Sequence, residues 1–314
     1  MKTTLILEND FLENLFINQS ENEVSKDLFN FITSDFSGYD LICDFKNEVE
    51  YEQAVHDNPI WELMLDKIDK INFNENIRLD INKDFFYEKL GEHNLFLTNF
   101  TAKECYNLSQ NRGYIYLSKE NFSEVWTNFM LPKRNNVFKV TNSDIIPEEL
   151  KFNCWSKLDN FCSPLTSILI FDKYILNDNS GRKLTNNLFP LLVRLLQNVN
   201  KEKTITITII TEPYNWEIKQ RQKQILAFLK SKGYSNSKIN ISKHFKVFYP
   251  DNFEGLHARF ILTNYFHIRS DDSFNFFNSN NKVNNDADIK INFILPAKNR
   301  FFFKKELTDI KRYV

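Results

Sequence analysis

Apolar and polar positions alternate between two periods along the chain. KTTLILEN (Lys2–Asn9) is a short β-branched and leucine-rich run, which reads as a buried strand, and an amphipathic helix is expected from about Phe11. YDLICDF (Tyr39–Phe45) reads as a second strand. NPIWELMLDKIDKI follows as a helix that starts at Pro59 and shows an apolar face at helical spacing. NLFLTNFTAKECYNLSQNRGYIYLS then reads as a strand, a Thr-initiated helix, a stop at Gly113 and another short strand. Strands alternating with helices predict an α/β domain with a parallel sheet.

Between residues 131 and 165 the period is lost and three prolines occur, so the domain boundary is expected here, dividing residues 1–134 from residues 135–314. Phe138, Val140, Phe152 and Trp155 in this stretch are poor linker residues and argue that part of it packs. The pattern then restarts. SILIFDKYIL is a strand ending at Asp172, and RKLTNNLFPLLVRLLQNV is a helix with Pro190 near its first turns or at a kink. KTITITIIT (Lys203–Thr211) is a strongly β-branched strand, and NWEIKQRQKQILAFLKSKG is a basic helix ending at Gly233. KHFKVFYP, LHARFILTN and DIKINFIL read as further strands. The fold class expected is therefore two α/β domains in tandem.

Composition adds three constraints. With 42% hydrophobic residues and 31 Phe in 314 residues, the chain has ample material for folded cores. The N-terminal apolar run is broken by Glu8 and Asp10, and no stretch is apolar for long enough to span a bilayer, so a soluble, cytoplasmic protein is expected. Cys43, Cys105, Cys154 and Cys162 are scattered without a CxxC spacing and read as thiols.

Charge divides the chain further. Residues 151–314 hold 26 Lys+Arg against 14 Asp+Glu, leaving 14 against 27 in residues 1–150, so the halves carry +12 and −13. A basic half beside an acidic one points to phosphate contact in the second and to a sensing, regulatory or protein-recruiting role in the first. The basic helix with Lys219, Arg221 and Lys223, together with Lys243 and Lys246, could track a nucleic-acid backbone, with Tyr214 and Trp216 as stacking candidates.

The candidate chemistry lies in LHARFILTNYFHIRSDDSFNFFN (Leu256–Asn278). Alternate residues of a strand share a face, so His257 and Arg259 would stand side by side, about 7 Å apart along the strand. A guanidinium can clamp two phosphate oxygens and an imidazole can act as nucleophile, acid or base, so the pair suits a phosphodiester. His267 is a further histidine that could join them, but on the next strand it is expected to face elsewhere.

His257-x-Arg259 followed by four residues and Asn264, then Asp272-Ser273-Phe274-Asn275, resembles the HxK(x)4D and GSxN elements of the phospholipase D-like superfamily. The Asp–x–Tyr ending SILIFDKYIL is similar to the strand that opens many such domains. The nearest likeness is the compact single-motif variant at the C-terminus of MIT-domain proteins, over roughly residues 135–300. The resemblance implies a mixed sheet flanked by helices and no metal requirement. It also implies His257 as nucleophile, with Arg259 and Ser273 or Asn275 holding the phosphate. A nuclease acting on DNA or RNA, of the kind used in bacterial defence, would follow, with a homodimer supplying a second histidine. The sequence departs from the family pattern where Arg259 replaces Lys, Asn264 replaces the acid and Asp272 replaces the glycine. These departures equally suit an inactive module that binds a protein partner or a phospholipid headgroup.

The first half offers a third reading. Glu8, Asp10 and Asp44 would lie at the ends of the first two strands, where a PIN-like nuclease could hold Mg²⁺ or Mn²⁺. No phosphate-binding glycine motif occurs, and six glycines in all argue against a glycine-lined nucleotide loop.

Overall fold

In the computed structural model, residues 3–20, 22–91, 93–130, 136–177, 181–212, 217–243 and 259–300 are described. They form two α/β units. The first spans residues 3–110 and 114–130 and also takes up Ile294–Arg300, a stretch that follows the last strand of the second unit. Arg300 is buried there, stacks over the Phe36 ring at 5.0 Å, and donates to the carbonyls of Gly38 and Ser37.

The first unit is a parallel five-stranded sheet in the order β3-β2-β1-β4-β5. β1 (Thr3–Leu7) and β4 (His93–Leu97) are central and wholly buried, which is why they read as near-continuous apolar runs. β2 is Tyr39–Cys43, β3 is Ile68–Phe73 and β5 is Ile115–Leu117. α1 (Asn9–Asn18) and α2 (Glu23–Asn30) connect β1 to β2. α3 (Glu48–Asp57) and α4 (Pro59–Met64) lead from β2 to β3. α5 (Ile77–Asp80) and α6 (Asp84–Glu88) lead from β3 to β4, and α7 (Ala102–Arg112) leads from β4 to β5. α8 (Phe122–Met130) closes the unit.

Local chemistry explains several of these boundaries. The Thr101 hydroxyl accepts from Glu104 N while the Glu104 carboxylate accepts from Thr101 N at 2.8 Å, a reciprocal capping box that starts α7. Gly113 stops it at φ 77°. The helix expected from Pro59 is shorter than its apolar spacing suggests. Asn58 caps it through Ile60 N at 3.1 Å, but after Met64 a single tight turn leads into β3. IDKINF then runs as β3 at the sheet's edge, where pairing with β2 overrides the helical pattern.

The second unit is a mixed seven-stranded sheet in the order β6-β12-β11-β10-β7-β8-β9. β7 (Ser167–Phe171), β8 (Thr206–Ile210) and β9 (Lys238–Ser242) run parallel, joined by crossovers containing α9 (Phe189–Leu196) and α10 (Ile218–Ser231). β10 (Arg259–Leu262), β11 (Phe266–Ser270), β12 (Ala287–Phe293) and β6 (Val137–Val140) extend the sheet by antiparallel pairing. Pro190 sits in the first turn of α9, directly after a π-type turn over Leu184–Leu188. Phe138, Val140, Phe152 and Trp155 are all buried, so the proline-containing stretch is packed wall rather than linker. All four cysteines are free thiols. No helix among the described residues is long and apolar enough to cross a membrane. The strand expected for KHFKVFYP falls, beyond Lys243, outside the described residues.

Candidate functional site

Strand direction decides which residues of the second unit can meet. β7, β8 and β9 are parallel, β10 opposes β7, and β11 opposes β10. One sheet edge therefore gathers the carboxyl ends of β7, β8, β9 and β11 together with the start of β10. Asp172, Lys173 and Tyr174 follow β7 at this edge, Thr211 and Glu212 follow β8, and Lys243 follows β9. Arg259 opens β10, and the turn Asp271–Asn275 follows β11.

Asp172 is the anchor. It is fully buried, and its carboxylate accepts from Tyr174 N at 2.8 Å, Phe274 N at 2.7 Å and the Ser273 hydroxyl at 2.9 Å. Burial pushes its pKa up, while these donors and the Arg259 charge pull it down. The Ser273 oxygen accepts from Asn275 Nδ2 at 2.8 Å, and the same amide reaches the Tyr174 carbonyl at 2.9 Å. The Asp272 carboxylate accepts from Ser273 N at 2.7 Å.

Two cations lie near the half-exposed Tyr174 ring. The Arg259 guanidinium lies 5.8 Å from the ring centroid and the Lys173 ammonium 5.1 Å. Lys173 is also paired with Glu212 at 3.0 Å. Arg259 itself is buried. An exposed aromatic ring beside two cations can receive a base on an open face and phosphate oxygens at its rim.

The residues singled out from sequence are thus divided. Arg259, Ser273 and Asn275 come together at this edge, whereas Asn264 lies at the opposite one. Its side chain accepts from Thr166 N at 2.8 Å and donates to the Thr166 hydroxyl at 3.0 Å, so it secures the start of β7. His257, Lys246, Tyr214 and Trp216 lie outside the described residues. Lys219 and Lys223 are exposed on α10, but Arg221 is buried on the inner face with Ile225 and Leu229 and donates to Gln224 at 2.9 Å. Lys230 completes an outward stripe at positions i, i+4 and i+11, and Lys243 is half-buried past β9. Asp172 and Tyr174 entered the sequence reading only as the end of a strand, and Lys173–Glu212 carried no signal there because their meeting depends on the β7–β8 pairing.

His267 pairs with Leu262 across β10 and β11, which puts it on the face opposite Arg259. Its ring packs 5.4 Å from Phe260, and burial pushes its pKa down to about 3. The unfolded chain takes up a proton near pH 6.5 that the folded chain refuses, so stability falls as pH drops below that value. Between pH 7 and pH 5, His267→Leu is expected to lose about 2 kcal/mol less stability than the parent, read by urea denaturation at the two pH values.

In the first unit, Glu8 accepts from Asn99 N and Asp44 accepts from Asn9 N at 2.8 Å. Burial pushes both carboxyls up, whereas Asp10 is exposed in the first turn of α1. Among the described residues no group of three or more His, Cys, Asp or Glu side chains is placed to hold a metal ion. The buried carboxylates instead tie the ends of β1 and β2 to neighbouring backbone.

No protein-family model and no curated protein sequence matches this chain.

Proposed function

We propose that the second unit engages the phosphodiester backbone of nucleic acid along the carboxyl edge of its sheet, as a phospholipase D-like protein acting without metal. The observation that carries this reading is the half-exposed Tyr174 ring with the Arg259 and Lys173 cations near it, on an edge that also receives Lys243 and the start of the α10 lysine stripe. In this reading Tyr174 stacks on a base, Arg259 supplies charge to the phosphate, and the lysines follow the backbone without regard to sequence. In the cleavage reaction, a ring nitrogen of His257 attacks phosphorus and the ester oxygen leaves. Water then hydrolyses the phosphohistidine.

A binding-only role has its own support. The Ser273 hydroxyl proton is given to Asp172, and the Asn275 amide to Ser273 and Tyr174, so both groups expected to hold phosphate are engaged inside the protein. Labelled single-stranded DNA and RNA incubated with the full chain in EDTA separate the readings. Cleavage that His257→Ala abolishes supports the enzyme. Retention without cleavage, weakened about 10- to 100-fold by Arg259→Ala, supports the binding module. Neither retention nor cleavage overturns both. Activity that appears only with added Mg²⁺ or Mn²⁺, and disappears in Asp10→Ala, moves the chemistry to the first unit.

A further inference from the structure

One face of the second unit's sheet carries an imbalance of charge. In β12, Ile289, Ile291 and Phe293 are buried, so Asp288, Lys290 and Asn292 point to the opposite side. Lys290 stands directly opposite Arg269 of β11 on one flank and Val137 of β6 on the other. Directly opposed residues share a face with Cβ atoms about 5 Å apart, and like charges so placed are destabilising. Lys290 is exposed, Arg269 is half-buried and Val137 is 46% exposed, so this rung opens to solvent.

Two acids lie close enough to relieve the pair, and both are committed elsewhere. Asp288, one rung along, turns its two oxygens to Lys139 Nζ at 2.6 and 2.7 Å. Asp271, just past β11, accepts from Asp288 N at 2.8 Å. Among the described residues neither Arg269 nor Lys290 makes an ion pair. Lys139, Arg269 and Lys290 outnumber the two carboxylates, so the patch remains positive. The fold thus holds two cations side by side at a cost that nothing within the sheet offsets.

The chemistry of the pair narrows what could offset it. A carboxylate or an internal phosphodiester presents two terminal oxygens and one charge, which a single guanidinium satisfies. A phosphomonoester presents three oxygens and a charge of about −1.5 to −2, which engages the ammonium as well. A run of anions, such as an acidic peptide, would meet Asp271 and Asp288 one rung away. A single compact dianion would not. We infer that Arg269 and Lys290 clamp a phosphomonoester, and that its source is the terminal phosphate of a nucleic-acid strand. Arg269 is one residue from Ser270, which pairs with Arg259 at the carboxyl edge, so a strand lying along that edge brings its end to the clamp. The clamp follows from its own charges, whereas its assignment to a strand end rests on the nucleic-acid reading of that edge.

Fluorescence anisotropy of the full chain tests this with one single-stranded sequence carrying a 5′-phosphate, a 3′-phosphate or hydroxyls at both ends. One phosphorylated form is expected to bind at least about 10-fold more tightly than the hydroxyl form. The double variant Arg269→Gln, Lys290→Gln should erase that difference and change the hydroxyl form by less than about 3-fold. Neither side chain is buried, and the variant removes a like-charge pair, so it should unfold at or above the parental temperature. Equal affinity for the three forms overturns the inference and leaves the reading of the carboxyl edge standing. So does a variant that weakens all three alike, which would mark two ordinary backbone contacts. If no form is retained, that reading fails, and calorimetric titration with inorganic phosphate decides the clamp alone. Saturable millimolar binding that the double variant loses sustains it, and absence of such binding overturns it.

Discussion

Replacing Asp172 by alanine is expected to lower the stability of the second unit by about 4 kcal/mol and to release the Ser273–Asn275 turn. The magnitude follows from what is left behind. Two backbone N–H groups, on Tyr174 and Phe274, lose their acceptor, the Ser273 hydroxyl loses its partner, and the attraction between Asp172 and the Arg259 charge is lost. Each abandoned buried donor costs about 1–3 kcal/mol, and these costs are only partly additive. Asp172→Asn keeps one acceptor oxygen and is expected to cost roughly half as much. Urea denaturation followed by circular dichroism measures both variants. A loss below about 1 kcal/mol for Asp172→Ala would show that the turn stands without its carboxylate.

This anchor also shows how far the residues could be read before folding. The central strands β1, β7 and β8 are legible because burial on both faces leaves apolar, β-branched runs, and α7 is legible because its capping box and terminal glycine are local. β3, β6, β9 and β11 are not. β9 alternates lysine and asparagine with isoleucine at an edge, β6 has four residues, β11 carries His267 and Arg269, and β3 continues the spacing of the helix before it. In each case tertiary pairing supplied what local pattern lacked.

The site divides along the same line. Arg259, Ser273 and Asn275 were marked by residue type and spacing, and they do meet. Asn264 was grouped with them by motif alone, although five strand-like residues from Arg259 amount to about 16 Å, the length of the strand. Arg221 was grouped with the lysines by charge alone, although its spacing to Ile225 and Leu229 places it on the inner face of α10. Asp172 could be read only as a strand end, since beyond the local Tyr174 N–H its donors, Ser273 and Phe274, come from about a hundred residues further along the chain. Charge and motif marked several residues that share one sheet edge. Periodicity, applied to the same residues, sorts those that face it from those that do not.

That sorting gives the second large effect. Lys219, Lys223 and Lys230 lie on one exposed stripe of α10, spanning about 16 Å along the axis, long enough to accompany two or three phosphates of an extended strand. Each phosphate contact with single-stranded nucleic acid contributes about 0.7 to the slope of log affinity against log salt. Reversing all three lysines to glutamate is therefore expected to flatten that slope by about 2 and to weaken binding roughly 100-fold near 0.1 M salt. Arg221→Gln should leave the slope unchanged, because the guanidinium it removes lies on the inner face of α10 with Ile225 and Leu229, away from the lysine stripe, and is bonded to Gln224. Lys26→Glu, an exposed reversal in the first unit, should change neither slope nor affinity. Fluorescence anisotropy with a labelled oligonucleotide over a salt series reads all three variants. If the triple reversal keeps the parental slope, the nucleic-acid path does not run along α10, and Arg259, Lys173 and Tyr174 must then account for binding without it.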